Sequence, residues 1–303
     1  MGRGAKREAK TRVKRLLGRI FFRCHAHLSE WVIGRTVLQL LTLMAEDLEG
    51  TMTNDPLTQT EIERYGRHIL LPEIGGAGQQ RLKDAAVLVI GAGGLGSPVL
   101  EYLAGAGVGT VGIIDDDTVS LSNLQRQTIH GTSTIGERKA RSASARIREL
   151  NPHVTVDRHE LRFTPDNAPG LTFGYDLLID GSDNIATRYA AADAAERARI
   201  PLVTGAVGRF DGSVTVLKPY ETDANGALLP GYRDLFPEEP PEGMLPVCAE
   251  TGIVGALTGV IGTLMAMEAI KLITGAGEPL VGRLLMYDAL AARFDVVKYR
   301  RRG

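Results

Sequence analysis

From position 57 onward the hydrophobic positions fall into short runs separated by longer periodic stretches. Residues 86–91, Ala-Val-Leu-Val-Ile-Gly, form a continuous apolar run closed by glycine, which predicts a strand buried on both faces. A helix is predicted over 97–106 and a second apolar strand over 110–115. Residues 136–150 predict a helix stopped by Asn151-Pro152, and residues 154–157 alternate as a strand does. Another buried strand is predicted at 176–180, an Ala-rich helix at 185–199 and a strand at 201–204. The texture then changes. Residues 209–217 read as antiparallel hairpin material, and 221–247 as a long loop rich in Pro, Gly and Glu. An apolar helix at 253–274 precedes two final strands at 283–287 and 293–298. Alternation of strands and helices predicts an α/β fold: a Rossmann-like, mostly parallel sheet with helices on both faces, continued by antiparallel strands.

Composition changes the picture in two places. Of 303 residues, 36 are glycine with no collagen period, so glycines are expected in turns and close-packed sites. The net charge of −1 gives no global field toward nucleic acid, and no nucleic-acid partner is expected. That near-neutral total hides an asymmetry. Residues 1–50 carry ten Lys or Arg and five acids, a charge of +5, leaving −6 for the remainder. The longest apolar run, residues 31–45, spans 15 positions and contains Arg35, shorter than the ~20 a membrane span needs, so no transmembrane segment is expected. Residues 1–55 are expected to be a poorly packed basic extension, or to precede a true start at Met52. A transit peptide or a docking helix is the alternative. The domain itself is expected over 56–303. Two cysteines exclude a disulfide scaffold and fit the reducing cytoplasm.

The candidate chemistry lies at predicted strand ends. Gly91-x-Gly93-x-x-Gly96 joins a strand to a helix. Glycines there allow a tight turn and close approach of a phosphate to a helix N-terminus. Asp115 ends the next strand at about the distance where an acid meets a ribose hydroxyl. Taken alone, this says nucleotide, and NAD by default. Arg126 and Lys139 add cations, and Asp183 adds an acid suited to Mg²⁺ beyond a further strand. Such a set suits a triphosphate better than NAD. An NAD-binding oxidoreductase remains the alternative, as does the same fold without catalysis.

Six motifs, in order, resemble the MoeB/ThiF/HesA family, relatives of the ubiquitin-activating enzymes. They are Arg64-Tyr-Gly-Arg67-His-Ile-Leu-Leu-Pro-Glu-Ile-Gly75, Gly91-Ala-Gly-Gly-Leu-Gly96, Ser120-Leu-Ser-Asn-Leu-Gln-Arg-Gln127, Gly181-Ser-Asp-Asn184, Pro246-Val-Cys-Ala-Glu-Thr-Gly252 and Met265-Ala-Met-Glu-Ala-Ile-Lys271. The resemblance spans roughly residues 57–298 and is strongest to the adenylyltransferases that serve molybdopterin synthase. It implies ATP- and Mg²⁺-dependent adenylation of the C-terminal Gly-Gly carboxylate of a small ubiquitin-like sulfur carrier. The molybdopterin synthase small subunit is the first expectation and the thiamine-pathway carrier the second. A carboxylate is already ionised, so the reaction needs preorganised cations rather than a general base. The resemblance implies that Gly94 and the amides of the 91–96 loop approach the nucleotide and that Asp115 holds the ribose. It implies that Asn123, Arg126 and Lys139 contact phosphates and that Asp183 binds Mg²⁺. Asp117, Ser122, Gln125 and Asn184 join the nucleotide set on the same basis. Arg67 is similar to the arginine that family dimers insert into the partner's ATP site, which implies a homodimer.

Two departures from that family pattern stand out. Relatives carry a structural zinc on two Cys-x-x-Cys pairs. Here Gly231-Tyr-Arg-Asp234 occupies the first position and the tail has no cysteine, so no structural zinc is expected. No sulfurtransferase segment follows, so sulfur is expected from a separate donor protein. Cys248 matches a family cysteine implicated in covalent linkage to the carrier. No Lys, Arg or His lies within ten residues of it to favour the thiolate. His68 and His130 read as structural, and Met265 and Met267 as packing residues.

Overall fold

The computed structural model describes residues 55–239 and 252–302. The basic segment, its apolar run and Cys248 therefore lie outside the described residues. Gln59–Gly303 form one compact unit. It begins with three helices, α1 (Gln59–Arg64), α2 (Gly66–Ile69) and α3 (Gly75–Asp84). Then come β1 (Ala86–Ile90), α4 (Gly96–Ala106), β2 (Thr110–Ile114), α5 (Lys139–Leu150), β3 (Thr155–His159), α6 (Ala168–Thr172) and β4 (Leu177–Asp180). The remainder is α7 (Ile185–Ala198), β5 (Leu202–Val207), β6 (Asp211–Leu217), α8 (Tyr232–Leu235), α9 (Gly255–Thr274), β7 (Arg283–Asp288) and β8 (Arg293–Lys298).

The described strands make one eight-stranded sheet, in the order β3-β2-β1-β4-β5-β6-β7-β8. Pairings among β1 to β5 are parallel, and those from β5 through β8 are antiparallel. This is the predicted α/β sheet with its antiparallel continuation. The continuous apolar runs follow from burial on both faces. Val87 and Val89 of β1 pack with Leu100 and Leu103 of α4 and with Ile261 and Met265 of α9. Leu88 and Ile90 pack on the opposite face with Tyr189, Ala191 and Ala194 of α7. Each such large side chain contributes about 1.5–3 kcal/mol when fully withdrawn from water. In α9, Leu257, Ile261, Met265 and Ala269 recur every four residues, so a single stripe enters the core. Its 20 residues reach membrane-spanning length with a mean hydropathy of 1.6, but this stripe packs on the sheet. Met265 is buried and Met267 exposed, which divides the predicted pair. At the far edge β8 is exposed throughout, and Phe294 stacks on Tyr287 at 4.4 Å.

Several boundaries differ from the sequence pattern, each for a local reason. The helix predicted from 136 begins at Lys139. Gly136 adopts φ +88, and residues 136–138 lie antiparallel to 117–119 through Gly136 N to Val119 O and Val119 N to Glu137 O, both 2.8 Å. α7 stops one residue early because Arg199 turns left-handed at φ 53. β5 runs on to Val207 because β6 supplies antiparallel partners as far as Gly212. The described part of the long loop carries the short helix α8.

The order of strands places a crevice. From β1 the chain crosses to β2 on one side, while β4 lies on the other, so the loops leaving β1 and β4 diverge above the sheet. Ligands in open α/β sheets bind at such a reversal.

Candidate active site

Both loops at the reversal are held by backbone contact. Gly91 adopts φ +88, and its amide donates to Ile114 O at 2.8 Å. A Cβ on Gly91 would lie 3.1 Å from Gly181 O, so the loops after β1 and β4 touch. A Cβ on Gly96 would overlap the Gly91 carbonyl, so the turn closes on itself. Gly94 meets Thr258 of α9, whose Cγ2 would be 2.9 Å from an added Cβ. Gly93 alone among these glycines faces open space, with only Gln127 Nε2 at 3.7 Å from a Cβ position. α4 follows directly with no side-chain cap; Ser97 N donates to Gly93 O at 2.9 Å and residue 98 is proline, so the Gly96 amide is the first-turn donor left to an anion.

Asp115, one residue past β2, fixes this loop. Its Oδ2 accepts from Ala92 N at 2.8 Å and its Oδ1 from Asp117 N at 2.9 Å. Burial pushes the Asp115 carboxyl above its ordinary range, opposed by the Ala92 amide and the Lys139 charge. Lys139, the first residue of α5, is buried, with Nζ 2.9 Å from the exposed Asp117 carboxylate. Its amide donates to Asp117 O at 3.0 Å, so the 117–119/136–138 pairing sets where the ammonium stands. Asp117 is thus the counter-ion of Lys139 in the free protein.

His130 joins three parts of the site. Its Nε2–H donates to Ala92 O at 2.8 Å, and Nδ1 accepts from Ser142 Oγ on α5 at 2.9 Å. That pattern is the neutral ring. Burial lowers its pKa from 6.5, opposed in part by the Ala92 carbonyl. A lowered histidine pKa stabilises the fold above the unfolded value, and that contribution is lost as pH falls through the folded value. The melting temperature is therefore expected to drop as pH is lowered from about 6.5. A His130→Phe variant should show a shallower drop, and equal slopes in a pH series of melts would contradict the assignment.

On the β4 side, Asp180 is fully buried. It accepts from Ser182 Oγ at 2.6 Å, Ser182 N at 3.1 Å and Thr204 Oγ1 at 3.0 Å. Arg188 of α7 donates to Ser182 O at 3.0 Å. The turn so held presents Asp183, exposed and with no hydrogen bond or ion pair among the described residues.

Residues 65–302 match the model of the ThiF family. The chain belongs to the ThiF family. It is 52% identical over 245 residues to the "Probable adenylyltransferase/sulfurtransferase MoeZ" of Mycobacterium tuberculosis, covering 81% of this chain and 62% of that protein. It is 49% identical over 244 residues to the sulfur carrier protein adenylyltransferase of Thermus thermophilus, covering 80% of this chain and 89% of that protein. Among solved structures, PaaA superposes with a TM-score of 0.68 at 23% identity, covering 94% of this chain and 87% of that one. E. coli MccB with ATP gives 0.66 at 19% identity over 78% and 72%. The chain thus spans less than two thirds of MoeZ and nearly all of the Thermus protein.

Within this ThiF-family chain the expected residues divide into three groups. Gly91, Gly93, Gly94, Gly96, Asp115, Asp117 and Lys139 are joined around the β1 loop by the contacts above. The 120–127 turn is built from its own members: Asn123 Oδ1 accepts from Ser120 N at 3.1 Å, Ser122 Oγ lies 3.1 Å from Ser120 Oγ, and Arg126 Nη1 donates to Ser122 O at 3.1 Å. The Gln125 carbonyl abuts Gly255 at the start of α9, where a Cβ would overlap it. Asn184 caps α7, its Oδ1 accepting from Thr187 N at 3.0 Å. Arg67 stands apart, exposed on α2 and bonded to none of these residues. His68 Nδ1 lies 3.2 Å from Gln79 Oε1, in keeping with its structural reading. The sequence reading passed over Thr204, Arg188, Thr258 and Gln127, whose roles depend on contacts across strands or between elements.

Proposed function

We propose that this chain transfers AMP from ATP to the C-terminal glycine carboxylate of a small ubiquitin-like sulfur carrier, releasing pyrophosphate. The observation that carries this reading is one crevice between β1 and β4 bordered by an open glycine, a ribose-competent acid, a buried lysine and an unpartnered acid. Its relatives' names point the same way. The molybdopterin synthase small subunit is the preferred carrier, and the thiamine-pathway carrier is the alternative.

The chain's groups act by charge and alignment. Asp115 already has one backbone donor on each oxygen, which fixes its plane, and each oxygen keeps a lone pair for a ribose hydroxyl. Lys139 exchanges its exposed Asp117 partner for phosphate, a stronger anion in a drier place. The Gly96 amide at the start of α4 holds a second phosphate oxygen. The carrier carboxylate then attacks the α-phosphorus, the bond to the bridging oxygen breaks, and pyrophosphate leaves without any proton transfer. Asp183 suits a divalent cation, since Mg²⁺ is commonly held by one or two carboxylates plus substrate phosphates rather than a protein cage. Bound there, Mg²⁺ would neutralise charge on the phosphates. Arg67, exposed and uncommitted, fits donation to the ATP site of a second copy in a homodimer.

Structural zinc does not fit this chain. Zinc of the kind described takes four thiolates from two Cys-x-x-Cys pairs, and the sequence has two cysteines and no such pair. Where a ligand pair would stand, Asp234 accepts from Gly231 N and Arg302 N, both at 2.7 Å, and Arg301 donates to Pro219 O at 3.2 Å. These bonds clasp the C-terminal residues to α8 beside a cavity of about 220 Å³, whose lining includes no residue of the glycine loop. Metal analysis of the purified protein should find no stoichiometric zinc, and one zinc per chain would overturn this reading.

The test of carrier choice is incubation with Mg-ATP and each purified carrier, followed by intact-mass measurement. A carrier–AMP adduct with the molybdopterin synthase subunit supports the reading. An adduct with the thiamine-pathway carrier alone would shift it to the alternative.

A further inference from the structure

Gln127 is buried, at 4% exposure, in the wall of the crevice. Its backbone is fixed, its amide donating to Asn123 O at 2.9 Å and its carbonyl accepting from His130 N at 3.1 Å. The side chain is not fixed in the same way. Oε1 is buried with no hydrogen-bond partner, and Nε2 reaches to 3.7 Å from where a Gly93 Cβ would stand. No hydrogen bond among the described residues engages either end of this carboxamide. Leaving a polar group buried and unpaired costs stability, so such groups in folded proteins call for an explanation.

Resting on the nucleotide reading above, we propose that Gln127 is a phosphate-binding residue of this site, donating an Nε2–H to a phosphate oxygen seated over Gly93. Three observations carry the assignment. Gly93 is the one motif glycine whose missing side chain leaves open space rather than room for a neighbouring element. Nε2 is the protein polar atom that borders this space. α4 begins three residues later, and its Gly96 amide makes no hydrogen bond among the described residues, so the positive end of the helix lies in the same loop. Because no protein partner chooses between the two ends of the amide, an anion turns the N–H end toward itself. A neutral donor suits this position. Lys139 and Arg126, both expected at the phosphates, already supply cationic charge.

Two variants and four probes test the assignment. Gln127→Glu keeps the shape and replaces the donor with an anion. Gln127→Met keeps the length and removes the unpaired oxygen. Binding of ATP, ADP, AMP and adenosine to the full chain is measured by calorimetry, with melting temperatures alongside. Both variants should bind ATP at least about tenfold more weakly, as for loss of a hydrogen bond to a charged group. Adenosine affinity should not change, because the lost bond is to phosphate. Gln127→Met should melt at or above the wild-type temperature. In Gln127→Glu, ATP affinity should partly recover as pH is lowered and the carboxyl becomes a donor. Wild-type ATP affinity in both variants would overturn the assignment while leaving the proposed function standing. Equal losses for adenosine and ATP, or lost affinity that tracks lost melting temperature in both variants, would also overturn it. Failure of the wild-type chain itself to bind ATP would overturn the nucleotide reading and this assignment with it.

Discussion

Asp183→Ala is expected to reduce adenylate formation by about a thousandfold or more while leaving the fold unchanged. The two halves of this expectation have separate causes. Asp183 is exposed and makes no hydrogen bond or ion pair among the described residues, so its removal leaves nothing unsatisfied. The turn that presents it is held by Asp180, Ser182, Thr204 and Arg188, none of which is altered. The melting temperature should therefore stay within about a degree, as for other exposed substitutions. The loss falls on the reaction, because the anionic carrier tail and the triphosphate repel each other unless the phosphate charge is offset. Single-turnover measurement of carrier–AMP formation at saturating ATP is the check. A well-folded Asp183→Ala protein with wild-type rates would remove Asp183 from the chemistry.

Gly96→Ala should give the opposite signature, with fold and activity failing together. A Cβ at Gly96 would overlap the Gly91 carbonyl oxygen and stand 2.9 Å from the carbonyl carbon. Both groups belong to backbone, so no side-chain rotation relieves the clash. Gly91 in turn lies against Gly181, so displacing it disturbs the loop after β4 as well. A cost of about 3 kcal/mol or more is expected, or roughly 6–12 °C in melting temperature for a domain of this size. Adenylation should fall at least about a hundredfold, because the shifted loop no longer places its own amide at the start of α4. A melting temperature within a degree of wild type would contradict the packing described at this turn.

What the sequence made legible follows from how local each signal is. The strand over 86–91 was readable because both faces of β1 are buried and so every position is apolar. The Gly91–Gly96 turn is local in sequence, and Asp115 is readable because it directly follows the next apolar strand. Lys139 was readable as a cation but not as a buried one. Its burial depends on the 136–138 segment lying along 117–119 instead of starting the helix. The pairing of Asp117 with Lys139 spans 22 positions and is not legible in the sequence, nor is the cap that the Asn184 side chain makes on α7. Thr258 and Gln127 sit against Gly94 and Gly93, contacts that bring a helix from far along the chain and a turn from another strand to one loop. Periodicity carries no record of such meetings. The antiparallel continuation was readable from alternation, but the length of β5 was not, since its last residues are held by β6.

The central claim is that the β1–β4 crevice activates a carrier's terminal carboxylate at the α-phosphorus of ATP. The most direct measurement is exchange of radiolabelled pyrophosphate into ATP, with and without a purified carrier ending in Gly-Gly. The account predicts Mg²⁺-dependent exchange that requires the carrier and disappears when the two terminal glycines are deleted. No exchange with any such carrier, together with binding of NAD(H) by the same protein, would contradict it.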